Sequence, residues 1–200
     1  KSDMGGASAV IGALITASEL KLPVNIIAIL PITDNAVSEN AYLPSDVVTA
    51  YNGKTIEVLN TDAEGRMTLA DGLSYLSKNY KTDVLIDLAT LTGSAVRMFG
   101  DTCGALFSNN EELKNQLLKS GDETNQRLWN LPLWDIWKDD ISSDVADFKN
   151  ISIFLSVIDF QYFCQVVNKL YNDICFCYIS KTLDTWYKLF QLLTMCTVLC

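Results

Sequence analysis

The sequence contains no histidine. That excludes Ser-His-Asp and Cys-His catalysis, and with them every imidazole metal ligand. Any chemistry must run on carboxylates, Lys, Arg, hydroxyls or thiols. Positive charge is scarce as well: 15 Lys and Arg against 24 Asp and Glu leave a formal charge of −9, a field that repels phosphate backbones and anionic lipid. No nucleic acid is expected as a partner. No uncharged apolar run reaches the roughly 18 residues of a membrane span, so no membrane partner is expected either. Glycine, proline and alanine are all missing from residues 151–200, while all ten glycines and four prolines precede them. What remains is globular in character. Apolar residues make up 49% of the 200 residues and charged ones 20%, enough to build a core and too apolar for a disordered chain.

Residues 1–150 alternate helical and strand-like patterns. Ala7, Val10, Ile11, Leu14, Ala17 and Leu20 recur near helical spacing, so residues 4–20 are expected to form a helix with that face in a core, ended by Pro23. Val24 to Leu30, between two prolines, reads as a buried strand. Residues 31–46 lack periodicity and read as a long loop of the kind often used for function. Tyr51-Asn52-Gly53-Lys54 has hairpin-turn chemistry ahead of a strand at Thr55 to Leu59. Met67, Ala70, Leu73 and Leu76 stripe a helix from Arg66 to Ser77, Asp83 to Ala89 reads as a second buried strand, and Glu111 to Ser120 as an amphipathic helix. The aromatic stretch Trp129 to Trp137 is expected to be packed. This alternation predicts an α/β fold with helices on both faces of a sheet.

Ligands of such sheets sit beyond the carboxyl ends of strands, and three segments occupy such places. Asn60-Thr61-Asp62-Ala63-Glu64-Gly65-Arg66 follows a strand and opens a helix. Its two carboxylates can aim at one point if the backbone bends, with Gly65 permitting the bend; oxygen donors of this type select a hard or borderline divalent cation. Arg66 offers a planar cationic fork for a carboxylate, bicarbonate or oxyanion. The local alternative is that Asp62 caps the helix, Glu64 favours its positive end and Arg66 is solvated. Asp3, ahead of Gly5 and Gly6, is either a metal ligand or a helix N-cap, and the glycines allow another backbone or a ligand to approach closely. Ala89-Thr90-Leu91-Thr92-Gly93 ends a strand with small residues and either binds a peptide through its backbone or is an ordinary connection.

Together these segments carry a resemblance. NTDAEGRMTLADGLSYL resembles the signature of the leucyl aminopeptidase, or cytosol aminopeptidase, family of two-metal exopeptidases. The likeness continues in order through KSDMGGA at 1–7, LPVNIIAILP at 22–31, NGKTIEVLNTDAEGR at 52–66, ATLTG at 89–93, and LWNLPLW through ADFKNIS at 128–152. It implies a three-layer αβα catalytic domain with a mixed central sheet, assembled in the intact family as a cytoplasmic homo-hexamer. It makes Asp3 and Asp62 ligands of two different divalent ions, with Glu64 bridging them; manganese and zinc are the first expectations, with magnesium and cobalt as further options. It makes Arg66 the catalytic arginine that steadies a bicarbonate base and the gem-diolate, and Thr90, Leu91 and Gly93 the substrate-binding segment. The implied reaction is removal of N-terminal residues, leucine by preference, from a peptide substrate.

The departures from that pattern matter equally. The family's metal-binding lysine, second bridging aspartate and catalytic lysine precede the position of Asp3 in a segment this chain does not contain. The resemblance does not extend over the family's separate N-terminal domain, which is therefore expected to be absent from these residues. The domain is therefore expected to be incomplete at both ends, and the chain inactive or nearly so by itself. The alternative is a non-catalytic chain that only associates with partner subunits. Residues 151–200 hold five of the six cysteines, three Lys and three Asp, with no zinc-type spacing. They read as an unrelated apolar tail, either translated out-of-frame sequence joined to a genuine partial domain or an apolar helix that docks on a partner. Reading the nucleotide sequence across codon 151 separates these: a continuous, well-supported transcript counts against the artefact.

Overall fold

The computed structural model describes residues 3–152. In chain order the elements are helix α1 (Gly5–Glu19), strands β1 (Val47–Thr49) and β2 (Thr55–Glu57), helices α2 (Gly65–Asn79) and α3 (Gly93–Phe99), strand β3 (Gly104–Leu106), helix α4 (Glu111–Glu123), strand β4 (Leu128–Asn130) and strand β5 (Phe148–Lys149). Two short 3-10 turns, Asp135–Trp137 and Asp139–Ile141, precede β5. This is an α/β chain, divided into two compact units with separate cores.

The first unit takes in residues 3–28 and 82–133. Its sheet is the parallel pair β3–β4, with Gly104 opposite Leu128 and Leu106 opposite Asn130. Helix α4 connects the two strands, so a βαβ unit does exist, over residues 104–130. Asn110 starts α4 by accepting the Leu113 amide on its side chain at 3.0 Å, and Glu111 and Glu112 lie at the positive end of the helix dipole. Leu113 and Leu117, one turn apart, then pack with Ala9, Leu88, Leu106 and Leu128. Leu106 and Leu117 are wholly buried, each contributing roughly 2 kcal/mol of transfer free energy.

Helix α1 differs from expectation in its buried face. Ala17 is inside and Val10 packs on the core as expected, but Gly5, Gly6, Ala9 and Gly12 are inside too, whereas Ile11 and Leu20 are exposed. The small residues win because the neighbouring backbone comes too close for larger ones. A Cβ on Gly6 would stand 2.1 Å from the Leu88 carbonyl oxygen. The helix also stops before Pro23. The Leu22 amide donates to Ala17 O and the Lys21 amide to Ser18 O, with Lys21 at φ 52°, the six-to-one and five-to-two bonds of a Schellman turn. Proline then merely follows a helix already closed. The same device ends α4, with Asn125 at φ 57° and bonds from Gln126 N to Gly121 O and from Asn125 N to Asp122 O.

The second unit takes in residues 29–81 and 134–152. Strands β1 and β2 pair antiparallel across the Tyr51–Gly53 turn, where Gly53 adopts φ 90°, and β5 adds in parallel to β2. The hairpin thus forms where the Asn-Gly pair places it, and the sheet is mixed. Ala50, Ile56, Ile141 and Phe148 form its core, with Met67 and Trp137 against them. Helix α2 buries Ala70 and Leu73 as its stripe predicts, and Arg66 and Ser74 besides.

Two expected strands are not strands. Val24 to Leu30 and Asp83 to Ala89 have no ladder partner among the described residues. Apolar β-branched runs record a preference for burial, while a strand needs a neighbour to accept its hydrogen bonds. Leu85, Leu88 and Ala89 are nevertheless buried. Trp129 and Trp134 depart from the expected packing: both are largely exposed, with Trp134 stacked on Trp137 at 5.0 Å between ring centroids. The expected tail over 151–200, apart from Ile151 and Ser152, lies outside the described residues.

Lys21 holds a left-handed backbone that a side chain opposes by about 1 kcal/mol. Lys21→Gly is therefore expected to raise the unfolding free energy by about 0.5–1 kcal/mol, read as an increased urea midpoint at unchanged slope.

Candidate functional site

The Asn60–Arg66 loop lies in the second unit, between β2 and α2. Its bend comes from Asn60. The Asn60 side-chain oxygen accepts the Asp62 amide at 2.9 Å and its carbonyl accepts the Ala63 amide at 3.2 Å, an Asx turn. Gly65, expected to supply the bend, instead takes an ordinary helical position as the first residue of α2. Neither carboxylate caps that helix. The residue at the cap position is Glu64, in a helical conformation and without a side-chain cap bond, so both carboxylates are free of the capping role that the local alternative gave Asp62. Asp62 is exposed, and Glu64 half-buried. Tyr42, in the 31–46 loop, has its phenol held above the usual range, first by burial and then by the negative charge of Glu64.

Arg66 is not solvated. It is only 6% exposed, and its guanidinium donates to the Asn150 carbonyl oxygen at 2.8 Å. Asn150 is itself fully buried. Its side-chain oxygen accepts the Leu59 amide at 2.9 Å and the Asn60 amide at 3.3 Å, while its side-chain N–H donates to the Asn60 carbonyl at 2.7 Å. Its own amide donates to Glu57 O at 2.9 Å. Three residues earlier, Asp147 accepts the Thr55 amide and hydroxyl and an ion pair from Lys54 at 3.3 Å. The Thr55 amide, then its hydroxyl, holds the Asp147 carboxyl below its usual range. Sequence reasoning missed Asn150 and Tyr42. A signal for the Asn60 turn was present in the residue type; none was present for Asn150, which sits 90 residues from Asn60.

Asp3, Thr90, Leu91 and Gly93 belong to the first unit. Asp3 does not cap α1: Met4 occupies the cap position without a side-chain bond. Asp3 instead accepts a hydrogen bond from the Thr90 hydroxyl at 2.5 Å. The contact follows from Gly6, whose missing side chain lets the start of α1 rest on the backbone at Leu88–Ala89, next to Thr90. Thr90 and Leu91 are half-buried, and Gly93 is exposed at the start of α3. Just upstream, Asp87 is buried, and desolvation raises its carboxyl to about 7.

The donor set suits a hard divalent cation in kind, since Asp3, Asp62 and Glu64 offer only carboxylate oxygens. Asp62 and Glu64 lie in one unit and Asp3 in the other, and among the described residues no group of three or more His, Cys, Asp or Glu could hold a metal ion.

The profile of the cytosol aminopeptidase family, catalytic domain, matches residues 1–164. The chain belongs to the cytosol aminopeptidase family. It is 49% identical over 151 residues to a probable cytosol aminopeptidase of Chloroherpeton thalassium, covering 76% of this chain and 30% of that relative. A cytosol aminopeptidase of Buchnera aphidicola subsp. Acyrthosiphon pisum is 50% identical over 151 residues, with the same coverage. A probable cytosol aminopeptidase of Syntrophotalea carbinolica is 49% identical over 150 residues, 75% of this chain and 30% of its own length. The chain thus spans about a third of the length of the curated relatives it matches. In this member of the family no helix among the described residues is long and apolar enough to cross a membrane.

Asp87 generates a pH prediction. Its folded pKa of about 7 lies above the ordinary 3.8, so the folded state holds a proton that the unfolded state has released between those values. The stability this contributes is complete below about pH 4 and lost as pH rises through 7, up to about 4 kcal/mol. Urea unfolding of the parent and of Asp87→Asn is expected to show the parent gaining on the variant between pH 7 and 4; parallel pH profiles would contradict the shift.

Proposed function

We propose that this chain is part of the catalytic domain of a divalent-metal-dependent aminopeptidase that removes N-terminal residues, leucine by preference, from peptides in the cytoplasm. The observation that carries the reading is the Asn60–Arg66 loop: two carboxylates free of helix capping, followed by a buried arginine, at the end of a strand. In the complete protein the domain would take the three-layer form and the hexameric assembly of the family. Asp62 and Glu64, with Asp3, are the residues that would hold the divalent ions, manganese or zinc before magnesium or cobalt. When bound, such ions supply a Lewis acid for the peptide carbonyl and lower the pKa of water.

The chain's own residues would do the rest. Carboxylates that repel one another when close are stabilised by a cation between them, so their chemistry and the metal requirement are one demand. Arg66, fixed by the Asn150 carbonyl, would present positive charge to bicarbonate or to a carbonyl oxygen gaining negative charge. Thr90, Leu91 and Gly93 would line the peptide site, where backbone groups can bond the substrate main chain. The Thr90 hydroxyl holds one orientation of the Asp3 carboxylate, which a ligand needs before a cation arrives.

Three carboxylates without the family's upstream lysines and aspartate support the further reading that this polypeptide is inactive alone. Leucine p-nitroanilide with the purified chain and added manganese is expected to show no turnover above manganese without protein. Robust turnover would overturn the incomplete-site reading. A longer chain supplying the upstream segment is expected to be active, and to lose more than about 100-fold in kcat, some 3 kcal/mol of barrier, on Asp62→Asn or Glu64→Gln. If such a chain assembled and stayed inactive, the non-catalytic alternative would replace this one.

A further inference from the structure

We infer that Asn150 is the positioning residue of the carboxylate loop, a single buried side chain and peptide unit that sets both where Asp62 and Glu64 stand and where Arg66 points. The inference rests on the functional reading above and adds to it a residue outside the Asn60–Arg66 loop.

The argument starts where β2 ends. The ladder with β5 runs only through Glu57, and beyond it the Leu59 and Asn60 amides, both half-buried, have left the sheet. A buried amide without a partner costs about 1–3 kcal/mol. The Asn150 side-chain oxygen accepts both, and its N–H donates to the Asn60 carbonyl. Only a primary amide does this, because it offers two lone pairs and two N–H donors from one short, planar group. An aspartate of the same shape could accept both amides but would set a carboxylate oxygen against the Asn60 carbonyl.

Asn60, so held, makes the turn that delivers Asp62 and Ala63. The backbone of Asn150 completes the arrangement. Its amide is tied to Glu57 and its carbonyl receives the Arg66 guanidinium. Strand end, carboxylate loop and arginine are therefore referenced to one residue that is fully buried. Asp147 anchors the same segment through hydrogen bonds to Thr55 and Lys54, outside the loop, which makes it the appropriate control.

The test compares the full chain with Asn150→Ala, the isosteric Asn150→Asp and the control Asp147→Ala. The first readout needs no metal: amide hydrogen exchange resolved by residue. Asn150→Ala is expected to speed exchange at Leu59, Asn60, Asp62 and Ala63 by about tenfold or more, the order of one lost hydrogen bond. The Ile56 amide and the α2 interior should be unchanged. Asn150→Asp, which preserves shape and so survives if the alanine variant unfolds, should loosen Asp62 and Ala63 more than Leu59. Asp147→Ala should leave the loop as it is. The second readout is manganese affinity from water-proton relaxation, expected to fall by about tenfold in the Asn150 variants and by less than about twofold in the control. Loop exchange that stays at the parent rate in both Asn150 variants, or rises equally in the control, overturns the inference. Localised loosening in a parent chain that binds no manganese leaves Asn150 as the positioning residue and counts against the metal reading instead.

Discussion

Backbone groups that leave a strand must find new partners, and at the end of β2 one amide side chain supplies them. The ladder stops at Glu57, yet several residues follow before α2 takes over hydrogen bonding. Asn150 bridges that gap with both its side chain and its main chain. The geometry of the loop follows from this: the Asn60 turn, the absence of any capping role for Asp62 and Glu64, and the buried course of Arg66 all depend on where residues 59 and 60 are held.

A parallel constraint operates in the first unit. The closest approach of α1 to the Leu88 carbonyl is possible only because residue 6 lacks a side chain. From that contact come the small-residue face of α1 and the meeting of Asp3 with Thr90. Close packing of a helix on a backbone segment is thus what turns a carboxylate near the chain's start into part of a candidate site. The same logic runs in each unit: a buried polar or steric requirement is met by one residue, and the backbone that carries an acidic side chain is placed as a result.

The acidity of the chain bears on the same chemistry. With Asp and Glu in excess over Lys and Arg and no histidine, carboxylates are the most abundant candidate ligands, and these suit hard cations. Asp87 shows the opposite use of an acid: buried beside apolar Ile86 and Leu88, it favours its protonated form near neutrality.

Local patterns read correctly wherever the physics is local. The Asn-Gly hairpin, the α2 stripe and the start of α4 each depend on residues within a few positions of one another, and the Asn60–Arg66 signature is specific enough to place the chain in its family. Val24 to Leu30 and Asp83 to Ala89 pair with no strand among the described residues because hydrophobicity reports burial, while hydrogen-bond partners come from elsewhere in the chain. Residues close in sequence determined the turns, the helices and which acidic side chains are candidates for a cation. Only tertiary structure decided which face of α1 is buried, that Asn60 rather than Gly65 makes the bend, that Arg66 is inside, and that Asn150 holds it there, because each depends on contacts between segments that chain spacing does not encode.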